Sequence, residues 1–185
     1  MERLKEKYIK VALPKMMEKF GYTSQMAAPK IRKVIINTGY GRIISGKGTD
    51  EQRKYADFIV EELTAITGQR AVKTLAKKSI ASFKVREGMP VGAMVTLRGN
   101  RMYDFLDKLI HVVLPRTRDF KGIDPNSVDQ SGNLTVAIKE YIAFPEVLPE
   151  RAKNIFGLEI TVVSDAKNKE KGLELFKLLG FPIRQ

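Results

Sequence analysis

Residues 71–97, Ala71-Val72-Lys73-Thr74-Leu75-Ala76-Lys77-Lys78-Ser79-Ile80-Ala81-Ser82-Phe83-Lys84-Val85-Arg86-Glu87-Gly88-Met89-Pro90-Val91-Gly92-Ala93-Met94-Val95-Thr96-Leu97, decide the fold class. Ala71 to Leu75, Ile80 to Val85 and Val91 to Leu97 read as short strands, with Gly88-Met89-Pro90 as a turn. A parallel pair needs a crossover of a dozen or more residues, and the connections here are shorter, so the strands are expected to run antiparallel.

Outward from this stretch the chain alternates between helical and extended patterns. Upstream, Leu4, Ile9, Val11, Leu13, Met16, Met17 and Phe20 recur at roughly helical spacing and Gly21 closes that helix. Lys33-Val34-Ile35-Ile36-Asn37 is a β-branched strand, followed by a glycine-rich turn from Gly39 to Gly48. Thr49 or Asp50 can cap a second helix carrying Tyr55, Phe58, Ile59, Leu63 and Ile66, with Gly68 beyond its end. Downstream, Gly99-Asn100 opens a helix with Met102, Phe105, Leu106, Leu109, Ile110 and Val113 on one face, and Pro115 is expected to stop it. Residues 116–133 read as an extended loop. Leu134 to Ile138 and Leu158 to Val163 are further strands, and Lys167 to Leu179 is a last helix ending at Gly180-Phe181-Pro182. No repeat or low-complexity linker divides the chain. The expectation is one α+β domain over residues 1–185, a mostly antiparallel β-sheet packed against helices.

The charge is distributed unevenly. The 185 residues carry a net charge of +12, and residues 70–121 hold 12 basic against 4 acidic side chains. A solubilising charge need not concentrate in this way, whereas a face for an anionic partner would. There are no cysteines, which excludes disulfides, thiolate metal sites and cysteine nucleophiles and fits a reducing compartment. No apolar run approaches the length of a membrane span, and the N-terminus mixes acids with its lysines. A cytoplasmic protein with no membrane partner and no cofactor is expected.

Motifs for catalysis are weak. Gly41-Arg42-Ile43-Ile44-Ser45-Gly46-Lys47 fits the start of a phosphate-binding loop, but the position for the magnesium-ligating hydroxyl is Gly48, and Thr49 comes one residue late. Val162-Val163-Ser164-Asp165 imitates the acidic magnesium strand only loosely. A nucleotide-hydrolysing enzyme built on Gly41 to Thr49 is therefore the alternative from another class, and a flexible surface turn is the blander reading. His111 is the one histidine and lies among Ile110, Val112 and Val113; without an orienting partner and a cleft it reads as structural. Asp104 and Asp107 can share a helix face, but no further ligand of suitable spacing stands near them.

The basic segment is more informative. Gln69, Arg70, Lys73, Thr74, Lys77, Lys78 and Ser79 interleave cations with neutral hydrogen-bonding side chains. Cations neutralise phosphates, while Gln and Thr form directional bonds to sugars and base edges. Phe83 adds an aromatic for base stacking, with core packing an equal reading of that residue. A general binder of single-stranded nucleic acid is a third possibility.

Residues 63–79, Leu63-Thr64-Ala65-Ile66-Thr67-Gly68-Gln69-Arg70-Ala71-Val72-Lys73-Thr74-Leu75-Ala76-Lys77-Lys78-Ser79, closely resemble the signature of the large-subunit ribosomal protein five family of bacterial type. The resemblance continues through Phe83 to Gly92, Val95 to Gly99, Leu114 to Phe120, Phe144-Pro145-Glu146 and Leu179 to Pro182. It implies an antiparallel sheet backed by helices, a 5S ribosomal RNA-binding surface in the central protuberance, and no catalysis. It carries the 5S contacts onto Asn37, Gln69 and Thr96, with Thr74 and Arg98 alongside them. It implies that a loop at 77–88 reaches peptidyl-site transfer RNA, with Lys77, Lys78, Ser79, Phe83 and Lys84 as contacts. It also implies that a loop region at about 116–146 meets small-subunit ribosomal protein thirteen in an intersubunit bridge. Further large-subunit ribosomal RNA completes the implied partners. The chain departs from the family at Val128-Asp129-Gln130-Ser131-Gly132-Asn133, where F-D-G-R-G-N is usual, at Ala143, and in a longer turn from Gly41 to Asp50.

Overall fold

Buried and exposed positions alternate along β1, Ile31–Gly39, where Val34, Ile36 and Thr38 are buried and the residues between them are not. That period-two burial marks a sheet with one face against a core. In the computed structural model, which describes residues 3–118, 120–147 and 155–184, five strands form an antiparallel sheet of order β2-β3-β1-β5-β4. They are β1, β2 (Val72–Leu75), β3 (Pro90–Leu97), β4 (Leu134–Ile138) and β5 (Leu158–Ser164). The fold is α+β. The chain divides into two compact units, one of Met1–Val34, Leu97–Val136 and Ile160–Gln185, the other of Ile35–Thr96 and Ala137–Glu159.

In the first unit, helix α1 spans residues 4–20. It contains a π-helical segment, Tyr8–Ala12, between α-helical Leu4–Lys7 and Leu13–Phe20, and Gly21 ends it at φ 66°. The wide turn inserts a residue into the helical period. Ile9, which simple periodicity would bury, is therefore 54% exposed, while Ala12, Leu13 and Met16 are buried. The helix over residues 99–116 behaves alike, with a π segment at Leu109–Val113 before Leu114–Arg116. Both wide turns stand directly before a Leu-Pro pair, Leu13-Pro14 and Leu114-Pro115. In a regular α-helix a proline ring presses on the carbonyl four residues back. The five-residue turn makes room for the ring, so Pro115 does not stop the helix as expected and the chain stays helical to Arg116.

The expected extended loop after this helix is stitched to the C-terminal tail. Ile123 N–H donates to Pro182 O at 2.8 Å and Arg184 N–H to Ile123 O at 2.9 Å. A tight turn precedes β4: Asn133 donates from its backbone N–H and its amide to the two oxygens of Asp129, each at 2.8 Å. Ser164 closes it, with N–H donating to Asn133 Oδ1 at 3.1 Å and Oγ to Gly132 O at 2.7 Å. The partial burial of Asp129 raises its pKa. Hydrogen bonds from the Asn133 side chain and from the N–H groups of Asn133, Ser131 and Gly132 outweigh that and hold it below the usual carboxylate range. The last helix, Lys169–Leu179, starts two residues later than expected because Asn168 caps it, accepting from Glu170 N–H at 2.9 Å.

In the second unit, a short helix, Gly41–Ile44, occupies part of the glycine-rich turn. A long helix follows, Thr49–Thr67, which buries Tyr55, Ala56, Ile59, Leu63 and Ile66 and ends at Gly68 with φ 66°. Gly48, not Thr49 or Asp50, takes the N-cap position. Asp50 and Glu51 lie in the first turn instead, where their charge favours the positive end of the helix. The expected strand Ile80 to Val85 is a tight turn. Ile80 and Val85 pair only with each other, around a 3-10 turn at Ala81–Phe83, and Lys84 takes the left-handed φ of 51° that no strand residue adopts.

β2 and β3 pair with Val72 opposite Met94, Lys73 opposite Ala93 and Thr74 opposite Gly92, then slip in register before Leu75 meets Pro90. A Cβ at Gly92 would lie 2.6 Å from Thr74 Oγ1 and 2.8 Å from Thr38 O. Gly92→Ala should therefore destabilise the protein by about 1–3 kcal/mol through forced displacement of backbone, read as a lower midpoint in urea denaturation. Asp129, with its folded pKa below the unfolded value, adds stability that is fully present above the unfolded pKa. That stability is lost as pH falls through the folded one. The Asn133 amide resonance should shift in an acid titration below about pH 4, and Asp129→Asn should abolish that transition.

Candidate nucleic-acid interface

Ala93, Val95 and Leu97 of β3 are buried in the core, so Gly92, Met94 and Thr96 turn to the opposite face. Cross-strand pairing puts Val72 and Thr74 on that face with Met94 and Gly92. In β1, Asn37 alternates with buried Ile36 and Thr38 and also lies off the core side. The open face of the second unit thus presents Asn37, Thr74 and Thr96, all partly exposed, with Met94 38% exposed among them. Three uncharged hydrogen-bonding side chains on a flat face suit sugar and base edges better than they suit catalysis.

Gln69 joins this group through tertiary structure. It follows the helix-ending Gly68, and its Nε2 donates to Thr96 O at 3.1 Å. The turn that aims it is pinned. Thr67 Oγ1 donates to Leu63 O at 2.7 Å and lies 3.0 Å from Gln69 O, while Thr64 Oγ1 accepts from Ala71 N–H at 3.2 Å. The side-chain Oε1 of Gln69 has no partner among the described residues. Arg98 is exposed at the cap before the helix over 99–116, within the first unit.

The loop between β2 and β3 is closed at its neck by Ala76 N–H to Met89 O at 2.9 Å and Gly88 N–H to Ala76 O at 3.0 Å. Ser79 Oγ accepts from Glu87 N–H at 2.9 Å, so this hydroxyl braces the loop. Lys77, Lys78 and Lys84 are exposed and have no acidic partner among the described residues. Lys73 is different, because it is ion-paired with Asp57 of the long helix. Phe83 is 68% exposed, which decides between its two readings in favour of an accessible ring. Exposed Val72, Leu75 and Ile80 add an apolar fringe, with Val72 on the open face beside Met94 and Leu75 at the end of edge strand β2; strand periodicity alone does not reveal this exposure.

The alternative sites dissolve. Asp165, offered as a magnesium ligand, accepts from Lys30 N–H and Arg32 Nε, each at 2.6 Å. Gly41–Ile44 is helical where a phosphate loop would wrap its ligand, and the magnesium-ligating hydroxyl position is Gly48. Tyr40, behind this segment, has its pKa pushed up to about 12 by burial, then by Asp57 and Tyr55, so it stays a neutral packing group. His111 Nε2 lies 3.4 Å from Asp107 Oδ1 one turn away on the same helix. Among the described residues no group of three or more His, Asp or Glu side chains is placed to hold a metal, and no helix is long and apolar enough to cross a membrane.

The region 116–146 is not one open loop, since it contains β4 and two 3-10 turns, at Pro125–Ser127 and Tyr141–Ala143. Asp119 lies outside the described residues. Where the chain departs from the family, Gln130 and Ser131 are exposed at the turn tip, Val128 fills the core at 1% exposure, and Asp129, Gly132 and Asn133 hold the turn.

Comparison with known proteins identifies the family. Residues 24–86 match the family described as Ribosomal protein L5, and residues 90–183 match the model for the C-terminus of that same ribosomal family. The chain is 47% identical over 185 residues to large ribosomal subunit protein uL5 of Halothermothrix orenii, covering 100% of both chains. It is 48% identical over 185 residues to the protein of that name from Desulfatibacillum aliphaticivorans, again covering 100% of both. The protein of that name from a Thermoanaerobacter species is 48% identical over 182 residues, 98% of each chain. With two family models covering most of the chain and full-length relatives at 47–48% identity in agreement, this chain belongs to the ribosomal protein L5 family.

Proposed function

We propose that this protein binds 5S ribosomal RNA through the open face of its sheet and helps attach that RNA in the central protuberance. The family is one of structural constituents of the large ribosomal subunit, and the chain is a structural component rather than an enzyme. Its place is then the ribosome in the cytoplasm, with large-subunit ribosomal RNA around it. The observation that carries the 5S reading is the Gln69 amide held on the Thr96 carbonyl, beside Asn37 and Thr74 on the same unit. Directional neutral groups of this kind discriminate one folded RNA, while the surrounding cations supply affinity without sequence information.

The loop 77–88 is the proposed contact for peptidyl-site transfer RNA. Its support is a set of lysines without acidic partners among the described residues and an accessible Phe83 on a braced frame, suited to phosphates and to stacking respectively. Residues 116–146 are the proposed face toward small-subunit ribosomal protein thirteen, and the exposed Gln130-Ser131 tip is the part most altered for it.

Filter binding to 5S RNA across a salt series, with transfer RNA and a scrambled RNA as competitors, tests the main reading. Preference for 5S RNA that survives moderate salt is expected. Equal, steeply salt-sensitive binding to all three would instead indicate a general cation effect. Gln69→Ala should weaken 5S binding by roughly 1–3 kcal/mol with little change in salt slope. Thr96→Ala should cost a similar amount even though it leaves the carbonyl that Gln69 grips. Replacing Lys77 and Lys78 together by alanine should leave 5S affinity nearly intact and weaken transfer RNA binding; a large loss of 5S affinity would reassign the loop.

A further inference from the structure

The segment that mimicked a phosphate loop in sequence forms one wall of a groove. Ser45 Oγ donates to Phe83 O at 2.8 Å, tying this segment to the tip of the β2–β3 loop. Gln52 Nε2 donates to Lys47 O at 2.9 Å and fixes the other end to the long helix. Between them lies a groove of about 700 Å³, with Lys47, Gly48 and Thr49 on one side and Ser79, Lys84 and Arg86 on the other. Three of the lining residues are cations and none is acidic. Asp50 and Glu51 stand in the first helical turn, outside the lining.

Three details favour an anionic ligand. The Lys47 ammonium stands over the Tyr55 ring, which restrains it at the groove rather than letting it sweep through solvent. Gly48 has φ −64° and open space where a Cβ would stand, so neither strain nor packing accounts for a glycine there. Its bare backbone allows a close approach from outside. Lys84 sits at φ 51°, a conformation that glycine takes freely and an L-residue takes at a cost. A lysine at that position supplies a charge to the groove that glycine would not.

We propose that this groove is a second RNA contact, seating a ribose-phosphate backbone between residues 46–52 and 79–89, with Lys47, Lys84 and Arg86 on its phosphates. The inference rests on the reading of loop 77–88 as an RNA contact and extends it to residues 46–52. The strand crosses the groove and leaves a base free to reach Phe83, the ring at the tied tip of the loop.

The test measures salt-dependent binding of a transfer RNA and a short oligouridylate to the full chain. Lys47→Gln with Arg86→Gln is compared with the charge-matched control Lys15→Gln with Lys139→Gln. The groove pair should lower the salt slope for oligouridylate by about 1.4, from two phosphate contacts at roughly 0.7 each on a single strand. It should also weaken transfer RNA, while the control changes neither. Lys84→Gly relieves backbone strain, so its melting temperature should hold or rise while RNA affinity falls, and it carries the same readout should the double variant fail to fold. Groove variants that match the control in slope and affinity overturn the groove and leave the loop reading intact. Wild-type protein with no affinity for transfer RNA overturns both. Competition by a polyglutamate as effective as that by oligouridylate also overturns the groove, as it would mark a generic anion surface.

Discussion

Gly92 sits where three strands close on one another. With no side chain, it lets Thr74 of β2 and the Thr38 carbonyl of β1 approach the same point of β3. The residues on the open face depend on that closeness. Asn37, Thr74 and Thr96 come from three strands, and only tight lateral packing presents them as one surface rather than three separate ridges. The Gln69 amide then locks a helix end to the same surface through a backbone carbonyl, so its aim does not depend on the side chain at position 96.

The electrostatics follow a division of labour among the cations. Arg32, Lys19 and Lys73 are paired with Asp165, Glu174 and Asp57, and serve the fold. Lys77, Lys78 and Lys84 stand on a loop whose neck and turn are closed by backbone bonds, so their charges are available without the loop collapsing around an acid. Surface pairs of the first kind contribute little to stability each, and charges of the second kind repel one another mildly. An anionic partner relieves that repulsion, which is consistent with a protein that works inside a ribonucleoprotein.

Two departures from regular helix geometry decide how the helices of the first unit meet its core. The π turns before Pro14 and Pro115 keep each helix continuous through a residue that would otherwise end it, and the shifted register decides which apolar residues reach the core. Ile9 is left outside by that shift, while Leu109, Ile110 and Val113 remain inside. The Asp129–Asn133 turn shows the complementary case, where Gln130 and Ser131 expose their side chains because the side chains that hold the frame are those of Asp129, Asn133 and Ser164.

The sequence by itself determined the α+β class, the positions of the long helices and of five of the six expected strands to within a few residues, the glycine ends at Gly21, Gly68 and Gly180, and the family. Those features are written in local periodicity, in the left-handed freedom of glycine and in motifs of contiguous residues. β1 is two residues longer at each end than its β-branched run, and Ile80 to Val85 is a turn because its only pairing partner is itself. Tertiary structure alone decided that Pro115 lies inside a helix, that Gly48 rather than Thr49 caps one, that Phe83 faces solvent, and that Lys73 is held by Asp57. Each of these depends on a partner distant in sequence or on the space available around a backbone, and neither quantity is encoded in the pattern of neighbouring residues.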